Sequence, residues 1–190
     1  MKLPTKNYAK SRKPSVSTNN MRKNRQRISK QTSNRRAVSN YGADILDSAG
    51  HKSCAEYIQH GDTSIRQHTI SVAYTAVALA RKTHLKYDYR AIVRGALLHD
   101  YFLYDWHEPH HGLHGYTHAS IALHNAAENF AISPIEADVI KKHMWPLNIA
   151  PPRYREAMIV TLADKICSTK EVFGKPVRNH QVQEILDEYQ

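Results

Sequence analysis

A chain of 190 residues supports one domain of ordinary size, large enough to bury a core. Hydrophobic residues make up 41% of it, but no stretch approaches the ~20 apolar residues of a membrane span, and the N-terminus lacks the apolar run of a secretory signal. The net charge of +10 hides an asymmetry: residues 1–36 hold twelve Lys/Arg and no Asp or Glu, while the remainder holds fifteen basic and seventeen acidic side chains.

Residues 1–40 are rich in Ser, Asn, Lys and Arg and show no helical stripe. They read as a disordered basic tail ahead of a single folded domain over 41–190. Such an arm can make weak, salt-dependent contact with nucleic acid or an anionic membrane, or act only as a solvated extension. It is too little amphipathic for a mitochondrial transit peptide. Two cysteines, Cys54 and Cys167, form neither a disulfide framework nor a CxxC pair. That usage suits a reducing compartment and points to the cytoplasm.

From Tyr41 onward the apolar spacing is three and four, which predicts an all-α bundle of seven or eight helices. Helices are expected near 43–48, 51–59, 63–84, 88–101, 116–130, 134–144, 152–172 and 178–189. Asp62, Thr63 or Ser64 can cap the long third helix, and Asp88 the next. Ser133-Pro134-Ile135-Glu136 reads as a capping box with Pro at the first helical position. Pro151-Pro152 is expected to open the helix that contains Asp164, and Trp145-Pro146 to close the one that contains His143. A loop dense in Tyr, Trp and His is expected over 101–115.

Several polar residues interrupt the apolar faces. His99 ends the buried stripe of its helix with Asp100 beside it, and Asp164 closes the run Ala157-Met-Ile-Val-Thr-Leu-Ala163. His143 follows Ile135 and Val139 at intervals of four, His118 precedes Ile121 and Ala122 at helical spacing, and His68 opens a helix that is apolar nearly all round. Each alone has a plain explanation as a hydrogen-bonded core group or a cap. Together they are six inward N/O groups, each on a different helix or beside another member, and burying them without partners would cost several kcal/mol or more. A shared metal satisfies all six. Imidazole and carboxylate suit Mn, Fe, Co, Ni or Zn, and the lack of cysteine ligands argues against a structural zinc.

The order His68, His99-Asp100, Asp164 resembles the signature of the HD superfamily of metal-dependent phosphohydrolases. Arg94-Gly-Ala-Leu-Leu-His-Asp100 is similar to that family's central motif and Ala163-Asp164-Lys165 to its closing one. His118 and His143 fall where two-metal members carry additional histidines. The similarity runs over about residues 60–172, and the segments 99–107, 113–118 and 143–147 also resemble an uncharacterised bacterial subgroup. Leu103 replaces the lysine of the cyclic-dinucleotide enzymes, and Tyr101-Phe102 their Ile-Gly, which argues against that substrate.

The resemblance implies hydrolysis of a phosphoester or phosphoanhydride in a small phosphorylated substrate such as a nucleotide. His68, His99 and Asp164 would hold one divalent ion, His118 and His143 a second, and Asp100 would bridge them, with water activated between the two. Arg66 and Lys165 are candidates to hold phosphate charge, and Tyr104, Asp105, Trp106 and His107, with Tyr101, to shape the substrate mouth. Two other readings keep the ligand set: a di-iron oxygenase, and a non-catalytic nucleotide- or RNA-binding domain.

His107-Glu-Pro-His-His111 satisfies the HExxH expression, but Pro109 breaks the helix that a zinc protease needs. Cysteine nucleophilic catalysis is not expected either, since Asp164 lies near Cys167 and disfavours a thiolate.

Overall fold

The computed structural model describes residues 16–105, 114–174 and 180–190. Among them run α1 (Val16–Leu46), α2 (Ala49–Ser53), β1 (Ile58–His60), β2 (Thr63–Ser64), α3 (Ile65–Ala80), α4 (Tyr89–Leu98), α5 (His114–Asn129), α6 (Pro134–Lys142), α7 (Arg155–Val172) and α8 (His180–Glu188). The architecture is the expected all-α bundle, with one two-residue-wide antiparallel hairpin. No described helix is long and apolar enough to cross a membrane.

Three end signals act as read, while the helix expected to open at Pro151-Pro152 begins only at Arg155, after Asp138 has taken the N–H groups of Arg153 and Tyr154. Ser64 caps α3 in a reciprocal box with Gln67, Asp88 accepts from Ala91 N at the start of α4, and Ser133 and Glu136 close the box on α6. α3 is the central element, buried on almost every side through Ile70, Val72, Ala73, Ala76 and Val77. It packs between α4 and α7; α1 lies over α3 and α4, α6 against α4 and α7, and α8 against α1 and α3.

Two expectations change. The boundary expected near residue 40 falls inside α1, and from Val16 onward the segment expected to be disordered is helical. Residues 1–15 lie outside the described residues. The reason is a stripe masked by the surrounding polarity: Asn34, Val38 and Ile45 share one helical face and are buried, and Arg35 pairs with Glu184 and Glu188 of α8. The second change is at 51–59, where only the short α2 forms before the chain turns into the hairpin. Gly61, at φ +56°, makes the turn that a side chain would resist. Ile65 N then bonds to Tyr57 O, and Arg66 N to Cys54 O. The start of α3 is thereby fixed against the strand.

α4 and α6 approach closely because residue 95 has no side chain. A Cβ at Gly95 would lie 2.6 Å from Val139 Cγ1 and 2.7 Å from its Cβ. Val139 is fully buried and stiff at χ1, so it has little room to yield. Gly95→Ala should therefore destabilise the fold by about 1–3 kcal/mol in thermal or urea denaturation, overpacking outweighing the gain in helix propensity of ~1 kcal/mol. A stabilised variant would show that the two helices do not need this close approach.

Candidate metal centre

Five helices bring the six sequence-predicted ligands to one end of the bundle. His68 is in the first turn of α3, His99 is the C-cap of α4 with Asp100 next to it, His118 is early in α5, His143 is the C-cap of α6, and Asp164 is midway along α7. All six are buried. The two C-cap histidines use the same local device: His99 Nδ1 lies 2.7 Å from Ala96 O and His143 Nδ1 2.7 Å from Ile140 O. Each ring N–H thus satisfies a carbonyl left open by the end of its helix and turns its Nε2 inward. The negative ends of the α4 and α6 dipoles also point here, which favours a cation.

The carboxylate of Asp100 divides the site in two. Its Oδ2 lies 3.2 Å from His99 Nε2 and 3.7 Å from His68 Nε2, while its Oδ1 lies 3.4 Å from both His118 Nε2 and His143 Nε2. Asp164 Oδ1 completes the first side, 3.2 Å from His68 Nε2 and 3.8 Å from His99 Nε2. Donor atoms of His68, His99 and Asp100 all lie within 4.8 Å of one another, as do those of Asp100, His118 and His143. Two metal-sized groups of ligands therefore share one carboxylate.

The donor chemistry fits metal ions. His68 Nε2, His99 Nε2 and Asp100 Oδ1 are buried and make no hydrogen bond. His68 Nδ1 is 2.7 Å from Glu171 Oε2, so its N–H donates there and Nε2 faces Asp100 and Asp164. A bare imidazole lone pair against a carboxylate oxygen is repulsive, so a proton or a cation must lie between them. Electrostatics agrees. Burial alone would push His68 and His99 down, but Asp164 and Glu171 beside His68, and Asp100 and Asp164 beside His99, outweigh it and raise them to about 9 and about 10. Burial would likewise raise both carboxyls, yet the facing imidazoles, led by His99 at Asp100 and by His68 at Asp164, hold them well below the usual range. His143 goes the other way: burial lowers it to about 3, the neutral form a metal ligand needs.

Three groups that sequence reasoning missed support the ligands. Glu171, the penultimate residue of α7 and seven residues from Asp164, orients His68. Gln59 on β1 donates to Asp100 Oδ2 at 2.6 Å, and Ser168 Oγ donates to Asp164 Oδ1 at 2.9 Å. Ser168 and Glu171 could have been found from their helical register with Asp164. Gln59 had no such signal, since the segment around it reads as helix. Asn125 Nδ2 bonds to the carbonyls of Tyr101 and Phe102 and fixes the turn that follows Asp100.

Of the other candidates, Lys165 lies at the site, its Nζ 2.7 Å from Asp164 Oδ2 and its side chain 44% exposed. Arg66 does not. Two residues before His68 it is ~200° around the helix, and its guanidinium donates to Leu46 O and Tyr189 O. It borders a separate cavity of about 590 Å³ with Lys52, Ile58 and Leu186. Its work is to tie α1 and the C-terminal segment to α3, and the phosphate-holding role expected of it is set aside. Tyr101 is buried beside Phe130 and does not shape a mouth. Half-buried Tyr104 lies tilted against Phe102 with ring centres 4.9 Å apart, the Phe102 ring lies 5.8 Å from that of His118, and Asp105 is also half-buried. Trp106, His107 and the HExxH-like segment 107–111 lie outside the described residues. Both thiols are held protonated, burial pushing Cys54 and Cys167 up to about 12.

No protein family, curated protein or solved structure matches this chain.

Glu171 offers a direct check on the site. A carboxylate that orients a ligand histidine is worth 10- to 100-fold in metal affinity. Glu171→Ala should weaken binding by about that much in competition with a chromogenic chelator, and Glu171→Gln, which still accepts from Nδ1, by less. Unchanged affinity in both would mean that His68 is not held for a metal.

Proposed function

We propose that the chain is a metal-dependent phosphohydrolase of the HD type, acting on a small phosphorylated substrate such as a nucleotide. The observation that carries the reading is Asp100, one buried carboxylate whose two oxygens each face a separate pair of histidines. His68, His99 and Asp164 would hold one ion, His118 and His143 the other, and Asp100 both. When bound, the ions supply charge neutralisation for a phosphoryl group and activation of water for attack on it.

The chain's own residues have the remaining roles. Glu171, Ala96 O and Ile140 O fix the tautomer and aim of the imidazoles by accepting their Nδ1 protons. Lys165, partly exposed and on the rim beside Asp164, would hold a non-reacting phosphate oxygen as a point charge. Tyr104, half-buried against Phe102, would border the entrance.

The test begins with untagged protein, because the His-rich segment 107–114 would collect nickel during affinity purification. Elemental analysis should find about two transition-metal ions per chain. Release of phosphate from nucleotides or p-nitrophenyl phosphate should require them, disappear in EDTA and return with Mn or Co. No bound metal after reconstitution would end this reading. Two irons with substrate-dependent oxygen uptake would replace hydrolysis by oxidation at the same ligands.

A further inference from the structure

The end of the bundle opposite the metal centre is rich in exposed cations. α1 runs antiparallel to α3: Arg66, at the start of α3, meets Leu46 O, and Arg81, at its end, donates to Ser33 Oγ and to Asn34 Oδ1. Beyond that anchor, residues 20–30 of α1 are exposed throughout and project past the body. Lys23, Arg27 and Lys30 recur there at i, i+4 and i+7, on the helical face that Asn34, Val38 and Ile45 continue into the core. No acidic residue occurs in the chain before Asp44.

The body supplies the other half of the surface. Asp88 N bonds to Glu156 Oε1, which brings the starts of α4 and α7 together beside the end of α3. Exposed Lys82, Lys86, Arg153 and Arg155 gather there. The acids of this region are engaged by backbone N–H groups: Asp88 accepts from Ala91, buried Glu156 from Asp88, and Asp138 from Arg153 and Tyr154. These carboxylates keep their charge but form no ion pair with the four cations, and with the five Lys/Arg of residues 20–30 the surface carries a net positive charge. Three guanidinium groups also lie over tyrosine rings: Arg81 over Tyr89 at 5.8 Å, Arg153 over Tyr154 at 5.7 Å and Arg155 over Tyr87 at 6.0 Å. Half-buried tyrosines that hold arginine planes at a surface suit both phosphate and an unpaired base.

We propose that this surface, the projecting half of α1 together with the junction of α3, α4 and α7, binds single-stranded nucleic acid along its phosphate backbone. Unpaired bases are favoured over a duplex because the arginine–tyrosine pairs offer flat stacking faces rather than an edge that enters a groove. A membrane surface is the poorer fit. The projecting segment shows only Met21 and Ile28 as large exposed apolar residues, too few for a helix that lies in a lipid interface. The thirteen residues of α3 from His68 to Arg81 span about 20 Å, so the surface is distinct from the metal centre and independent of its reading.

The test is fluorescence anisotropy of the full chain with labelled 24-nucleotide single strands of RNA and of DNA, a 24-base-pair duplex, and phosphatidylserine vesicles, across a salt series. Two triple variants divide the surface: Lys23→Ala/Arg27→Ala/Lys30→Ala, and Lys82→Ala/Lys86→Ala/Arg155→Ala. All six positions are exposed, so helicity and metal content should be unchanged. Each lost phosphate contact on a single strand removes ~0.7 from the log–log salt slope, so each triple should flatten it by about 2 and weaken binding about 100-fold at 0.1 M salt. A preference between the RNA and DNA strands would report contact with the 2′-hydroxyl. Wild-type affinity and slope in either triple variant would overturn the proposal, as would tighter binding to the duplex or to the vesicles.

Discussion

Asp100→Ala is expected to empty the metal centre and leave the helices standing: about two ions per chain should fall below one, and turnover should drop by about 1,000-fold or more. Among the described residues no other carboxylate lies against both groups of ligands. His68 and His99 look onto Oδ2, His118 and His143 onto Oδ1. Losing the carboxylate leaves each ion with neutral imidazoles and, on one side only, Asp164. Asp100→Asn separates charge from shape. It keeps one acceptor oxygen and the volume, so one ion should survive at reduced affinity. His118→Ala, by contrast, should cost the second ion and spare the first. The readings are metal content by elemental analysis, helicity by circular dichroism and phosphate release under excess metal. An Asp100→Ala protein that keeps two ions and full turnover would remove Asp100 from the bridge.

The site was legible because it violates the hydrophobic pattern. A histidine or aspartate on an otherwise apolar stripe has to be explained, and His68, His99, His118, His143 and Asp164 each sit on such a stripe. Helical register alone could not separate Arg66 from the site, although it lies two residues from His68 on the same buried helix. Its phase could not be resolved because α3 is apolar on almost every side. The supporting residues were less legible for a different reason. Gln59 reaches Asp100 through tertiary placement alone, and Glu171, although in register with Asp164, interrupts no apolar run. In α1 the failure was one of averaging: the polarity of residues 1–33 was allowed to describe 34–40 as well, where Asn34 and Val38 already begin the stripe that Ile45 continues. The hairpin was missed because Ile58-Gln59-His60 is too short to show alternation, and only Gly61-Asp62 signals the turn.

Glu136→Ala should be among the most destabilising single changes outside the site, at about 3–5 kcal/mol, or a fall in Tm on the order of 10 °C. Glu136 is fully buried at the first turn of α6, and its two oxygens are both used. Oε1 pairs with Arg94 Nε at 3.1 Å and with Arg90 Nη1 at 3.2 Å, while Oε2 accepts from Ser133 N at 2.7 Å and completes the capping box. Arg94 is itself buried, and its Nη1 reaches the carboxylate of Asp44 on α1, both oxygens at 2.6 Å. One guanidinium therefore joins α1, α4 and α6, the framework that carries His99 and His143. Removing Glu136 leaves the buried Arg94 guanidinium with Asp44 as its one carboxylate partner among the described residues and opens the cap together. Glu136→Gln, which can still accept from Ser133 N, should recover the cap but not the ion pair, and lose about half as much. The decisive comparison is Arg94→Met/Glu136→Met. Replacing both partners by apolar groups leaves no buried charge unpaired, so the double variant should be more stable than Glu136→Ala alone. If it is instead the sum of the two single losses, the pair contributes through packing of its separate side chains and not through the charge they share.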